Sequence, residues 1–256
     1  MKKLTRFLLF VLLFSVPLWL AAILLDMTKI IPVKLPFSAL QFLSVLLAAI
    51  IVMRKEKSTR KLLSQGIDFY RIKQPVWRVV IFVLMPVIVT ASFFVSRIFA
   101  QSADIQMTPI YIAPIFLLIY GFSGYCEQIG WTAVMTETLL ERRSILLSGL
   151  LVGITWAIWH IIPFMQTHNT ASWIFWQCIF TVIYRVMLTK VYILTNRSVF
   201  SAVAMHATYN TAFSLLPYYG SSYHPASTAL VTLIATVLIY VLPVQNGKES
   251  DLLPSN

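Results

Sequence analysis

The chain has 256 residues, 59% of them hydrophobic and 11% charged, with a mean hydropathy of +0.80. Soluble globular chains run at roughly 45–50% apolar and about 25% charged, so a soluble domain is excluded. The net charge of +11 would suit nucleic acid, but the basic residues sit in short loops between apolar stretches, where positive charge retains a loop on the cytoplasmic side; no nucleic-acid partner is expected.

A bilayer core needs about 20 apolar residues per helix, with a range of roughly 17–25. In chain order this predicts helices over 5–25, 37–53, 76–98, 109–135, 144–163, 171–194, 198–216 and 226–244. The fold class is therefore all-α integral membrane, with about eight transmembrane helices. The N-terminus (Met1 to Arg6, then an apolar run) imitates a signal peptide, but the run is long and no small-x-small cleavage site follows it, so it reads as a retained anchor. Pro32, Pro36, Glu141-Arg142-Arg143, Asn196-Arg197 and Pro217 punctuate the linkers. The basic stretch Arg54 to Lys73 reads as a solvated loop or as a surface-lying amphipathic helix built on Leu62, Leu63, Ile67 and Phe69. Residues 1–256 form one membrane domain: 1–108 supply the first three helices and the basic loop, 109–216 the polar-bearing helices, and 217–256 the last helix and a tail.

Orientation follows from lysine and arginine placement. Lys2, Lys3, Arg6, the stretch Arg54 to Lys73, Arg142, Arg143, Arg197 and Lys248 fall on one face. Asp26, Lys29, Lys34 and Asp104 are the charges of the other face, where His168 and His224 lie in loops and read as solvated. Both termini are expected in the cytoplasm of a multi-pass cell-membrane protein, and the compactness of the chain suggests a bacterial source. Trp173, Trp176, Tyr218 and Tyr219 read as an outer aromatic belt.

Ionisable residues inside transmembrane helices are expensive and mark functional candidates. Glu127, His160, Arg185 and His206 with Asn210 are such residues. His206 and Asn210 are four apart and share a helix face, as do Trp156 and His160. At 1.5 Å rise per residue, Glu127 and His160 lie about 22 and 25 Å from the arginines that precede or follow their helices, and His206 and Asn210 about 13 and 20 Å from Arg197. The groups thus lie within about two turns of one another. A carboxylate held out of water is suited to take a proton from a water molecule and return it. A histidine can steer that water, and a second histidine with an asparagine amide can donate to a developing oxyanion. The same Glu and two His could instead bind zinc with an open position.

Glu127-Gln128-Ile129-Gly130-Trp131-Thr132, then Trp156 to His160, then His206-Ala207-Thr208-Tyr209-Asn210 resemble the motifs E-E-x-x-x-R, F/W-x-x-x-H and H-x-x-x-N of the CAAX protease and bacteriocin-processing (CPBP, or ABI) family. The resemblance spans about residues 115–215 and implies a CAAX-protease-like bundle acting as an intramembrane endopeptidase. It makes Glu127 the water-activating carboxylate, His160 its partner, and His206 and Asn210 the oxyanion site. It implies no cofactor, with zinc on Glu127, His160 and His206 as the alternative. The partners it implies are the lipid bilayer and a hydrophobic or membrane-anchored peptide, entering from the cytoplasmic half. Lipid-facing and partner-facing apolar surfaces read alike, so oligomeric state stays open.

The chain departs from the pattern at Gln128, where the second glutamate would stand, and at Thr132, where the arginine would stand. Losing both is nearly charge-neutral, as if a structural ion pair had become a neutral pair. Trp131 and Trp156 flank the motifs as secondary positions. The departures leave a second reading open: an impaired member that binds a membrane peptide, confers immunity or regulates a partner. A transporter or proton pathway would also use buried Glu and His, but it should show broken helices or repeated halves, and the sequence has neither. Cys126, beside Glu127, reads as packing rather than as a nucleophile, and Cys178 likewise. Arg185 reads as snorkelling to the cytoplasmic face, with a reach into the cavity in place of the missing arginine as the alternative. Gly130, Gly149 and Gly153 read as points of close helix approach.

Overall fold

A computed structural model describes residues 2–24, 37–56, 58–98, 106–167 and 169–244. Asp26, Lys29, Pro32, Lys34, Pro36, Asp104, His168 and Lys248, named above, lie outside the described residues. The described residues are helical throughout: α1 Lys2–Leu24, α2 Phe42–Met53 (entered through a 3-10 turn, Phe37–Gln41), α3 Thr59–Ser64, α4 Pro75–Ile98, α5 Ala113–Gly130, α6 Glu137–Leu140, α7 Ile145–Gln166, α8 Ala171–Leu194, α9 Val199–Leu215 and α10 Pro225–Tyr240. Each predicted segment holds one of these helices. Among the described residues, five stretches are long and apolar enough to cross a membrane: α1, α4, Ile110–Leu140, α7 and α8. Ser38–Met53 and α10 are apolar but shorter, and α9 has 17 residues. The protein is a multi-pass, all-helical membrane protein.

Between α5 and α6 the chain does not break; Trp131–Thr136 is wound as a π-helix. Thr136 helps to hold the wide turn, its hydroxyl donating to the carbonyl of Trp131 five residues back at 2.8 Å. Such π segments inside α-helices concentrate at functional sites, and this one starts three residues after Gln128.

Side-chain contacts sort the helix ends onto two faces. On the first, Lys3 Nζ meets Glu56 at 2.6 Å, Arg71 Nε donates to the carbonyl of Asn196 at 2.8 Å, and Glu137 accepts from Tyr192 at 2.6 Å and pairs with Arg197 at 3.3 Å. On the second, Trp19 Nε1 donates to Gln41 at 2.8 Å, Gln166 donates to the carbonyl of Trp19 at 2.9 Å, and Thr108 donates to the carbonyl of Leu216 at 2.6 Å. The first face carries the basic loops. The stretch Arg54 to Lys73 does not form a long surface helix. Its one α-helical piece has six residues, Leu62 is buried while Ile67 is exposed, and Tyr125 donates to the carbonyl of Leu63 at 3.0 Å, so the loop folds back onto the protein.

In lipid there is no hydrophobic gain from bringing helices together, so close approach of backbones matters. A Cβ on Gly149 or Gly153 would stand 2.9 Å from the Cα of Val186 or Val182. The α7–α8 contact therefore requires both glycines. Gly130 is equally tight, facing Val45 and Phe7.

Candidate active site

Glu127 on α5, Trp156 and His160 on α7, and His206 and Asn210 on α9 line one cavity of about 430 Å³. The polar residues that sequence spacing placed within two turns of each other are thus brought together. Gly124, one turn before Glu127, had escaped notice. Its missing side chain leaves room for the His206 ring, whose Cδ2 would lie 3.1 Å from a Cβ there. Only the spacing of a small residue three before the carboxylate hints at this in the sequence.

Trp156 stands at the centre. Its indole Nε1 donates to Glu127 Oε2 at 2.7 Å. Its ring centroid lies 5.4 Å from that of His160 and 5.6 Å from that of His206. The Arg185 guanidinium carbon sits 4.5 Å from the same ring, a cation–π distance. The indole thereby separates a carboxylate from a cation while touching both.

Arg185 does not snorkel. It is 1% exposed, and its Nη1 donates to Gln128 Oε1 at 3.0 Å and to Thr132 Oγ1 at 3.1 Å. The physical reason is local: Gly153 clears space beside the Arg185 stem, and two neutral acceptors stand where the guanidinium ends. Gln128 and Thr132 are therefore not an isolated neutral pair. An arginine from α8 thus reaches both positions at which the chain departs from the motif.

These contacts fix the protons on both histidines. Gln128 Oε1 accepts from Thr132 at 2.7 Å as well as from Arg185, which turns its amide nitrogen toward His206 Nδ1 at 3.1 Å. An amide nitrogen only donates, so Nδ1 accepts and the proton of neutral His206 sits on Nε2. His160 Nδ1 lies 2.9 Å from the carbonyl of Trp156. A carbonyl only accepts, so here Nδ1 carries the proton and Nε2 the lone pair. One imidazole offers a donor and the other an acceptor. Asn210 spends one amide N–H on the carbonyl of His206 at 3.2 Å and keeps the other.

The remaining candidates stand outside the cavity. Trp131 is fully buried, edge-on to Phe7 at 5.6 Å and to Trp159 at 5.5 Å, and ties α1 to α7. Cys126 is fully buried and does not line the cavity; Cys178 is half-buried on α8. His224 is exposed and caps α10, its Nδ1 accepting from the Ser227 backbone N–H at 3.3 Å. For the zinc alternative, no group of three His, Cys, Asp or Glu that could hold a metal ion occurs among the described residues. The donor set does not suit one either: His206 accepts a hydrogen bond at Nδ1, bears its proton on Nε2, and one oxygen of Glu127 is taken by Trp156.

Residues 108–212 match the family model described as type II CAAX prenyl endopeptidase, Rce1-like. No curated protein matches the chain. The matched stretch begins at the buried Thr108, ends inside α9, and contains every residue of the cavity's polar set. Residues 108–212 of this multi-pass membrane protein are thus similar to the Rce1-like type II CAAX prenyl endopeptidases.

Proposed function

We propose that the protein is an intramembrane endopeptidase that hydrolyses a peptide bond of a hydrophobic or membrane-anchored peptide with water activated by Glu127. The observation that carries this reading is the convergence of Glu127, His160, His206 and Asn210 on one cavity. Glu127, held at Oε2 by Trp156, accepts a proton from a water molecule that the free Nε2 of His160 orients. The water oxygen attacks the carbonyl carbon. The Nε2–H of His206 and the second N–H of Asn210 stabilise the oxyanion as it forms. Collapse breaks the C–N bond, and Glu127 returns its proton to the departing nitrogen. No step requires a metal or another cofactor. In this reading α2, α9 and α10 cross the bilayer with the five longer spans, giving eight crossings and both termini on the basic, cytoplasmic face.

The departures at Gln128 and Thr132 favour a second reading, a binding, immunity or regulatory protein with a family-like cavity. The buried Arg185, which donates to both of those residues, weighs against it, because a decaying site has no use for a buried cation, which costs several kcal/mol to desolvate. The test compares membrane peptide termini by mass spectrometry in cells making the wild-type chain or Glu127→Gln at equal levels. Termini present only with the wild type are expected. Identical termini in both would sink the peptidase reading and leave the binding one.

A further inference from the structure

The cavity lies toward one face of the bundle, and packed side chains separate it from the other. Its walls beyond the polar set come from Leu40 in the 3-10 turn and Phe42 at the start of α2, Ile119 and Ser123 near the middle of α5, Phe164 near the end of α7, and Tyr223 in the α9–α10 loop. All belong to the face marked by the Trp19–Gln41 and Thr108–Leu216 contacts, opposite the basic loops. Leu40 and Ile119, 41% and 55% exposed, are lining residues that reach the surface of the bundle. Trp173, in the aromatic belt expected from the sequence, also lines the cavity.

Toward the basic loops the way is shut. Gln128, Ile129, Trp131, Arg185, Met187 and Leu188 are all at most 1% exposed and fill the space behind Glu127 and His206. The helix ends beyond them carry Lys3, Arg71, Arg142, Arg143 and Arg197, whereas Arg97 is the one Lys or Arg at the opposite ends among the described residues. Such an asymmetry places the basic face in the cytoplasm. Access from the cytoplasmic half, as the sequence suggests, meets the packed side of the site.

We infer that peptide and water reach Glu127 from the extracytoplasmic face, so that the substrate is an exported peptide or the outer-leaflet part of a membrane-anchored one. This rests on the peptidase reading for its chemistry, but not for its geometry. A translocation step must supply such a substrate before it is cut.

The test uses the full chain carrying Cys126→Ala and Cys178→Ala, with one cysteine returned at Ser123→Cys on the cavity wall or at Lys55→Cys in the basic loop. Each is treated with a small membrane-impermeant thiosulfonate in intact spheroplasts and in inverted vesicles. Ser123→Cys is expected to react in spheroplasts, and Lys55→Cys only in inverted vesicles. Reaction of Ser123→Cys only in inverted vesicles, reaction of both from the same face, or reaction of Ser123→Cys from neither face overturns the inference. Labelling needs no turnover, so unchanged peptide termini would defeat the peptidase reading and leave this result standing.

Discussion

The two halves of the bundle, divided at the level of Glu127, solve opposite problems. On the basic side α7 and α8 touch backbone to backbone through Gly149 and Gly153, Trp131 wedges between Phe7 and Trp159, and exposed charges are paired across loops. On the other side the same helices part around about 430 Å³ of cavity walled by aromatic rings. Buried polar groups occur in both halves, among them Gln128, Thr132 and Arg185 on the packed side. The difference lies in where small residues allow contact and where bulky rings hold the backbones apart. Packing density, rather than polarity, decides which half encloses a chamber.

The comparison breaks most sharply at Glu127, on the boundary. Glu127→Gln keeps the indole hydrogen bond and removes the base, so turnover of a cleaved peptide should fall by about 10²–10⁴-fold with thermal unfolding in detergent unchanged; cleavage at the wild-type rate would remove Glu127 from the mechanism. Next comes Arg185→Met, which strips the cation from the packed half and leaves Gln128 and Thr132 without their shared donor. A loss of about 1–3 kcal/mol is expected, read as a lower unfolding midpoint, with partial recovery when Thr132→Arg is added. No change on unfolding would show that Arg185 only fills space. Asn210→Ala acts in the open half alone. Loss of one oxyanion donor should lower kcat by about 10²–10³-fold while the unfolding midpoint stays put.

Gln128→Glu gives the smallest structural change and the sharpest readout. A carboxylate has no N–H to offer His206, so the imidazole proton should move from Nε2 to Nδ1. Histidine ¹⁵N spectra of the detergent-solubilised protein would record that exchange, and an unmoved proton would show that Gln128 does not set the tautomer.

Much of this could be read before any coordinates. Helix places followed from apolar run length, because the bilayer fixes how long a span must be. Glu127, His160 and His206 are legible because intramembrane ionisable residues are scarce enough to stand out, and Asn210 because it lies one turn after His206. Arg185 was found but misdirected. Whether a long cation snorkels or turns inward depends on Gly153 and on acceptors from another helix, which one helix's sequence does not contain. The π-helix at Trp131–Thr136 was illegible for a related reason: an extra residue per turn leaves the apolar pattern intact. The direction of the cavity was likewise hidden, since it depends on which rings face each other across four helices.

The packed half has a consequence for the cell as well as for the site. A hydrated chamber that penetrated the whole bilayer would be a conduit, and even a slow leak of protons or sodium dissipates the gradient on which a membrane runs. The stopper behind Glu127 is made of rings, methionine and leucine with one guanidinium at its centre. A fixed positive charge at a constriction turns cations away. The packing that braces Glu127 and His206 therefore also insulates the membrane; on the peptidase reading proposed above, it would let water reach the scissile bond while the permeability barrier stays closed.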